Sequence, residues 1–124
     1  VARRARLPPA GRGLEQELTR EMSVCRGTVM SAGGGWVTNS ESVALLRPGG
    51  RIIYLRVAPE RAIARLATAR VRRPLLEVAD PLVVLNELYQ IRRSLYEAAD
   101  LIIDTEVVER KEVIEQIRLY ALSI

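Results

Sequence analysis

An α/β fold is predicted by three features of this 124-residue sequence. Short β-prone runs alternate with segments of helical period, glycine, proline or aspartate punctuates each change, and the composition, 48% apolar and 27% charged, is that of an ordinary soluble globular chain the size of one domain. Alternation of this kind implies crossover connections and a parallel sheet covered on both faces.

Taken in order, the chain opens with a basic, Pro-rich lead over residues 1–11, which is expected to be disordered. After the Pro8-Pro9-Ala10-Gly11 break, Leu14, Leu18 and Met22 recur every fourth residue with polar residues between them, so the segment predicts an amphipathic helix. Residues 27–31 form a β-prone run that ends in Gly33, Gly34 and Gly35, and residues 42–46 predict one or two helical turns before Pro48, Gly49 and Gly50. Residues 51–57 are the clearest strand. Ala58-Pro59-Glu60 then starts a helix through Ala62, Ile63, Leu66 and Ala67, because proline suits a first helical turn. A polar loop over residues 70–80 precedes Asp80-Pro81, an N-cap followed by proline. The long helix beyond it is expected to bury Leu85, Leu88, Ile91 and Leu95. Residues 101–103 predict a short apolar strand closed by Asp104, and Val113, Ile114, Ile117 and Leu122 mark a last amphipathic helix.

Composition removes several classes of function. The longest stretch without a charge, residues 27–40, is fourteen residues long and holds four glycines, too short to cross a bilayer as a helix. No secretory signal is recognisable, so a cytoplasmic chain that engages no membrane is expected. One cysteine, Cys25, closes no internal disulfide, and the absence of histidine removes imidazole bases and the commonest zinc ligand. The net charge of +4 lies entirely in residues 1–12, which hold four arginines and no acid and leave fifteen basic and fifteen acidic residues for the rest. A solvated basic lead is preferred to a phosphate-binding arm, and no nucleic-acid partner is expected, because neither aromatics nor a reading helix accompany it.

The residues able to carry chemistry are a glycine turn and a few arginines. Gly33, Gly34 and Gly35 stand at the end of a strand, where open α/β sheets bind ligands, and glycines there permit positive φ and close approach of backbone N–H groups to an oxygen-rich group. On spacing alone, a structural turn and a ligand cradle are equally good readings, and no dinucleotide fingerprint follows. Eighteen arginines against one lysine make guanidinium the main cation. Arg12 precedes the first helix, Arg73 lies in the polar loop and Arg92 sits one turn before Tyr96. Each is suited to bidentate capture of carboxylate or phosphate, although surface pairing accounts for most arginines.

In order along the chain come Arg12-Gly13-Leu14-Glu15, Ser31-Ala32-Gly33-Gly34-Gly35-Trp36-Val37, Arg51-Ile52-Ile53-Tyr54-Leu55 and Arg73-Pro74-Leu75-Leu76. Ala79-Asp80-Pro81, Arg92-Arg93-Ser94-Leu95-Tyr96 and Ala98-Ala99-Asp100-Leu101-Ile102-Ile103-Asp104-Thr105 follow. This ordered set resembles the successive motifs of the shikimate kinase family over roughly residues 12–122. The resemblance implies a P-loop NTPase-like three-layer α/β/α fold with a parallel sheet, incomplete here at its N-terminal side. It also implies ATP-dependent, magnesium-supported phosphorylation of the shikimate 3-hydroxyl, a step of aromatic amino-acid synthesis by way of chorismate, by an enzyme monomeric when complete. By the same resemblance, Arg12 and Arg92 hold the shikimate carboxylate, Gly33, Gly34 and Gly35 approach the ring hydroxyls, and Arg73 belongs to a lid at about residues 70–80 that closes over ATP and acts catalytically on the transferring phosphoryl group.

Departures from the family pattern are local, with one exception. Gly11 stands where an aromatic is usual, Trp36 where a small residue is, and Ser94 where proline is common. The larger departure is that Lys111 is the one lysine, so no Gly-Lys-Ser/Thr phosphate loop occurs, and the family's substrate-binding aspartate on its second strand is missing too. The family's first strand, between those expected around Val29 and Ile53, is absent with them. The expected role is therefore the shikimate- and lid-bearing part of a kinase, with no transfer from ATP by the 124 residues alone and with the ligands for ATP and magnesium mostly elsewhere. The alternative is a catalytically inactive fragment that serves only as a ligand- or protein-binding remnant.

Overall fold

The structure, a computed structural model, describes residues 3–6, 12–67 and 80–124, with the backbone alone for 3–6, 12, 66 and 67. The described elements are β1 (Arg3–Arg6), α1 (Arg12–Ser23), β2 (Thr28–Ser31), α2 (Ser40–Leu46), β3 (Ile53–Arg56), α3 (Pro59–Ala67), α4 (Pro81–Glu97), β4 (Leu101–Asp104) and α5 (Arg110–Ser123). A single 3-10 turn, Trp36–Thr38, precedes α2. The strands form two parallel pairs, β1 with β2 and β3 with β4. The α/β class with parallel strands is thus as the alternation predicts. In place of the expected single domain, the chain divides into two compact units, Val1–Ile52 and Ile53–Ile124, each containing one strand pair.

In the first unit, β1 runs parallel to β2 with Arg3 opposite Thr28 and Arg6 opposite Ser31. This corrects the expectation of a disordered lead for these four residues. A strand edge presents N–H and C=O groups that need partners, and a backbone can supply them whatever its side chains are. The rest of the expected lead lies outside the described residues. The turn between α1 and β2 needs Gly27, whose φ of 59° is unfavourable for a side chain. At the other end of the unit, Gly50 donates its N–H to the Leu46 carbonyl at 2.8 Å, and a Cβ there would lie 2.7 Å from the same oxygen. Helix α2 begins two residues earlier than periodicity indicates, because the Asn39 side chain accepts hydrogen bonds from the Glu41 and Ser42 N–H groups. Helices α1 and α2 pack together, with Thr19 of α1, Ser42 of α2 and Trp36 between them in sequence all buried.

In the second unit, β3 and β4 pair with Ile53 opposite Leu101 and Arg56 opposite Asp104. The core is small: Ile103 is 2% exposed, and Val113 of α5 is also buried. Helix α3 starts at Pro59 as predicted, and α4 starts at Pro81. Asp80 occupies the N-cap position of α4 without making a capping hydrogen bond.

The buried stripe of α4 differs from the expected one. Leu85 and Leu88 are half-buried, but Ile91 is 75% exposed and Leu95 is exposed as well. The inward stripe turns instead through Leu88, Tyr89, Arg92 and Tyr96. At the C-terminal end of the helix the inward contact is aromatic, Tyr96 stacking on Tyr54 of β3. In α5, likewise, Val113 is buried and Ile117 half-buried, whereas Ile114 and Leu122 are exposed.

Candidate functional site

The glycine turn is anchored by the residue that follows it. Trp36 is 6% exposed, and its indole Nε1–H donates to Thr19 Oγ1 at 2.9 Å. The Thr19 hydroxyl donates in turn to the Glu15 carbonyl at 2.7 Å, so the relay runs from the turn onto the backbone of α1. The Gly33 carbonyl accepts from Trp36 N–H at 3.0 Å, and the Gly35 carbonyl accepts from the N–H and hydroxyl of Thr38. Two carbonyl oxygens of the turn, those of Gly33 and Gly35, are therefore engaged by the chain itself.

The conformational reason expected for these glycines is corrected by the backbone. Among the described residues Gly27 alone has positive φ, and Gly35 has φ −87°, which any residue adopts. A Cβ placed on Gly33 would meet nothing within 4 Å. Gly33 thus satisfies no steric demand of its own chain, and a side chain there would fill open, exposed space beside the turn. A group approaching the backbone from outside would meet that side chain.

Arg12 is the first residue of α1 and belongs, like the glycine turn, to the first unit. Arg73 and nearly all of the expected lid lie outside the described residues.

Arg92 is in the second unit, on the inward stripe of α4. It is half-buried and has no polar partner among the described residues, whereas the other half-buried arginine with a defined partner, Arg56, pairs with Asp104 at 3.3 Å. Its neighbour Arg93 is exposed and bonded to Glu97 at 2.9 Å, which raises the Arg93 guanidinium further above its ordinary value. A guanidinium partly withdrawn from water without an anion bears a desolvation cost that a bound carboxylate or phosphate would offset.

The C-terminal ends of β3 and β4 gather further cations, but these are engaged by the chain itself. Arg65 donates to the Thr105 hydroxyl and carbonyl at 3.2 and 3.3 Å, and Arg61 pairs with Glu106 at 3.8 Å. Glu106 also accepts the Ala58 N–H at the start of α3, and Thr105 donates its N–H and hydroxyl to the Arg56 carbonyl. This cluster ties the turn after β4 to α3. Among the described residues no group of three or more His, Cys, Asp or Glu side chains could hold a metal ion.

Three tyrosines connect β3 and α4. Tyr54 of β3 stacks on Tyr96 of α4, with ring centroids 5.0 Å apart and planes 20° from parallel. Burial pushes the Tyr54 phenol up to about 12; charge at Tyr89 and Tyr96 and a hydrogen bond with Tyr89 add to this, and Arg56 opposes it. Sequence reasoning passed over Tyr89, Thr19 and Asn39. Asn39 was legible as an N-cap side chain ahead of Ser40, while Thr19 carried no signal because one polar residue in an amphipathic helix reads as surface.

Comparison with known proteins adds the family. A family model for shikimate kinase matches residues 10–120. The shikimate kinase of Pseudomonas syringae pv. syringae is 43% identical over 99 residues, covering 79% of this chain and 57% of the relative. That of Pseudomonas aeruginosa is 36% identical over 104 residues, covering 83% of this chain and 60% of the relative. The chain thus spans somewhat over half the length of these relatives. Among solved structures, shikimate kinase from Acinetobacter baumannii in complex with shikimate aligns with a TM-score of 0.77 at 29% identity, over 90% of this chain and 63% of the other. Shikimate kinase from Bacteroides thetaiotaomicron aligns with a TM-score of 0.74 at 25% identity, over 90% and 66%. With its parallel α/β elements and its motifs matched from residue 10 to residue 120, the chain belongs to the shikimate kinase family.

Proposed function

We propose that this chain serves a shikimate kinase reaction, the transfer of the ATP γ-phosphoryl group to the 3-hydroxyl of shikimate, by supplying residues that bind the acceptor. The observation that carries this reading is Arg92: half-buried, on the inward face of α4 and without a polar partner among the described residues, beside an Arg93 that is turned out and paired. Shikimate, the compound in complex with the Acinetobacter enzyme, carries the carboxylate that such a guanidinium would bind. By the family motifs they match, Arg12 is a further candidate for carboxylate binding, and Gly33, Gly34 and Gly35 are candidates for contact with ring hydroxyls, with open space beside Gly33.

The division of labour follows from the chemistry. Phosphoryl transfer depends on positioning the nucleophile and stabilising charge, and holding the acceptor by its carboxylate fixes where its hydroxyl stands. Arg73 acts on the phosphoryl side, where a guanidinium stabilises the charge of the transferring group. ATP is the phosphoryl donor and magnesium supplies charge neutralisation on it.

Gly33→Ala tests this reading cleanly, because the added methyl meets open space in the free protein. Thermal stability is expected to stay within about 0.5 kcal/mol of the parent, as for surface changes generally, while shikimate binding by calorimetry weakens several-fold. Unchanged shikimate affinity in a normally folded Gly33→Ala protein contradicts the cradle assignment.

A further inference from the structure

We propose that Tyr54, Tyr89 and Tyr96 form a clamp that holds the C-terminal half of α4 on β3 and so sets the position of Arg92, making Tyr96 a positioning residue for the carboxylate-binding guanidinium. The proposal rests on the assignment of Arg92 to the shikimate carboxylate given above.

Helix α4 has no fully buried residue along its seventeen positions, and its expected aliphatic anchors Ile91 and Leu95 face outward. Its defined side-chain contacts with β3 are aromatic. The Tyr54–Tyr96 stack, at 5.0 Å and 20°, joins the middle of the strand to the last turn of the helix, and Tyr89 shares a side-chain hydrogen bond with Tyr54 two turns earlier. At about 100° per residue, Tyr89 and Tyr96 lie about 60° and 40° to the same side of Arg92, one turn before it and one turn after it, so along the helix axis Arg92 stands between the two attachment points. Arg93, about 100° round the helix and on the far side of the two tyrosines, is exposed and bonded to Glu97. A residue bracketed by two fixed contacts loses freedom of rotation about the helix axis and of sliding along the strand. Tyr54, at the strand end of the clamp, is half-buried.

The test uses the 124-residue chain as Tyr96→Phe, Tyr96→Leu, Arg92→Ala and the Tyr96→Leu, Arg92→Ala double variant. Shikimate affinity is measured by calorimetry, and exchange of the Arg92 backbone amide by NMR. Phenylalanine keeps the stack, so Tyr96→Phe should bind shikimate within about two-fold of the parent, whereas Tyr96→Leu should bind about three- to ten-fold more weakly, the range an aromatic pair contributes. In the Arg92→Ala background, Tyr96→Leu should cost nothing further, because the group it positions has gone. Additive losses, or an equal loss in Tyr96→Phe, overturn the clamp. Should Arg92→Ala bind shikimate as the parent does, the carboxylate assignment of Arg92 falls, and the clamp is then judged on exchange alone. Faster exchange of the Arg92 amide in Tyr96→Leu than in Tyr96→Phe upholds it, and identical exchange in the two overturns it.

Discussion

Replacing Thr19 by valine removes one hydroxyl and almost nothing else. The two side chains are nearly isosteric and of similar helix propensity, so neither a cavity nor a helix penalty is expected. What changes is the Trp36 indole N–H, which donates to Thr19 Oγ1 at 2.9 Å in a site where Thr19 is fully buried and Trp36 is 6% exposed. Without that acceptor the indole N–H stays buried and unsatisfied, at a cost of about 1–3 kcal/mol. For a chain of this length each kcal/mol lowers the melting temperature by ~3–5 °C. The unfolding transition is followed by circular dichroism, with the emission of Trp36, the sole tryptophan, as a second probe of the same unit in the parent and the Thr19→Val protein. The effect should be smaller in a Trp36→Phe background, where no indole N–H is left unpaired and only the bond from the Thr19 hydroxyl to the Glu15 carbonyl is lost. A loss below about 0.5 kcal/mol, or the same loss with phenylalanine at position 36, would refute the reasoning.

Two further outcomes follow from the same accounting of buried polar groups. Ser42 is fully buried and its hydroxyl has no hydrogen-bond partner among the described residues, so Ser42→Ala should leave stability unchanged or raise it by up to about 1 kcal/mol, as read from the denaturant midpoint. Tyr54 holds its proton up to about 12 in the folded chain, against 10.0 for an unperturbed phenol. Between those values the folded state keeps a proton that the unfolded state has lost, so this contribution to stability is whole below about pH 10 and declines as pH rises towards about 12. Tyrosinate absorbance should show a late-titrating phenol that Tyr54→Phe removes, and the variant should lose less stability across that interval than the parent.

Much of the architecture was legible because punctuation carries physics. Pro59 and Pro81 open helices, since proline sets φ and lacks an N–H that a first turn would leave unused. Ile53–Arg56 and Leu101–Asp104 lie within or beside the apolar runs that marked them. What escaped was set by partners distant in sequence. The strand at Arg3–Arg6 exists by pairing with Thr28–Ser31, which the four arginine-rich residues themselves do not announce. The stripe of α4 was misplaced because Ile91 and Leu95 fit helical period as well as Tyr89 and Tyr96 do, and contacts with other elements, such as the Tyr96 stack on Tyr54, are not legible in that period. The role of Trp36 was equally hidden, since its acceptor lies seventeen residues back on another element. Of the candidate site, Arg92 and the glycine turn were legible as motifs, but the reason for Gly33 was not. Open space, and not positive φ, is what its lack of a side chain preserves.

Shikimate titrated into the parent chain, Arg92→Ala, Arg92→Lys and Arg93→Ala tests the central claim most directly. Charge-assisted hydrogen bonds to a carboxylate are worth about 1.5–3 kcal/mol, so Arg92→Ala should weaken binding about ten-fold or more. Lysine should restore only part of that, because it keeps the charge and loses the planar fork. Arg93→Ala, which breaks only an exposed pair with Glu97, should bind within about two-fold of the parent. Equal affinities for the parent and Arg92→Ala, or a larger loss from Arg93→Ala than from Arg92→Ala, would contradict the account.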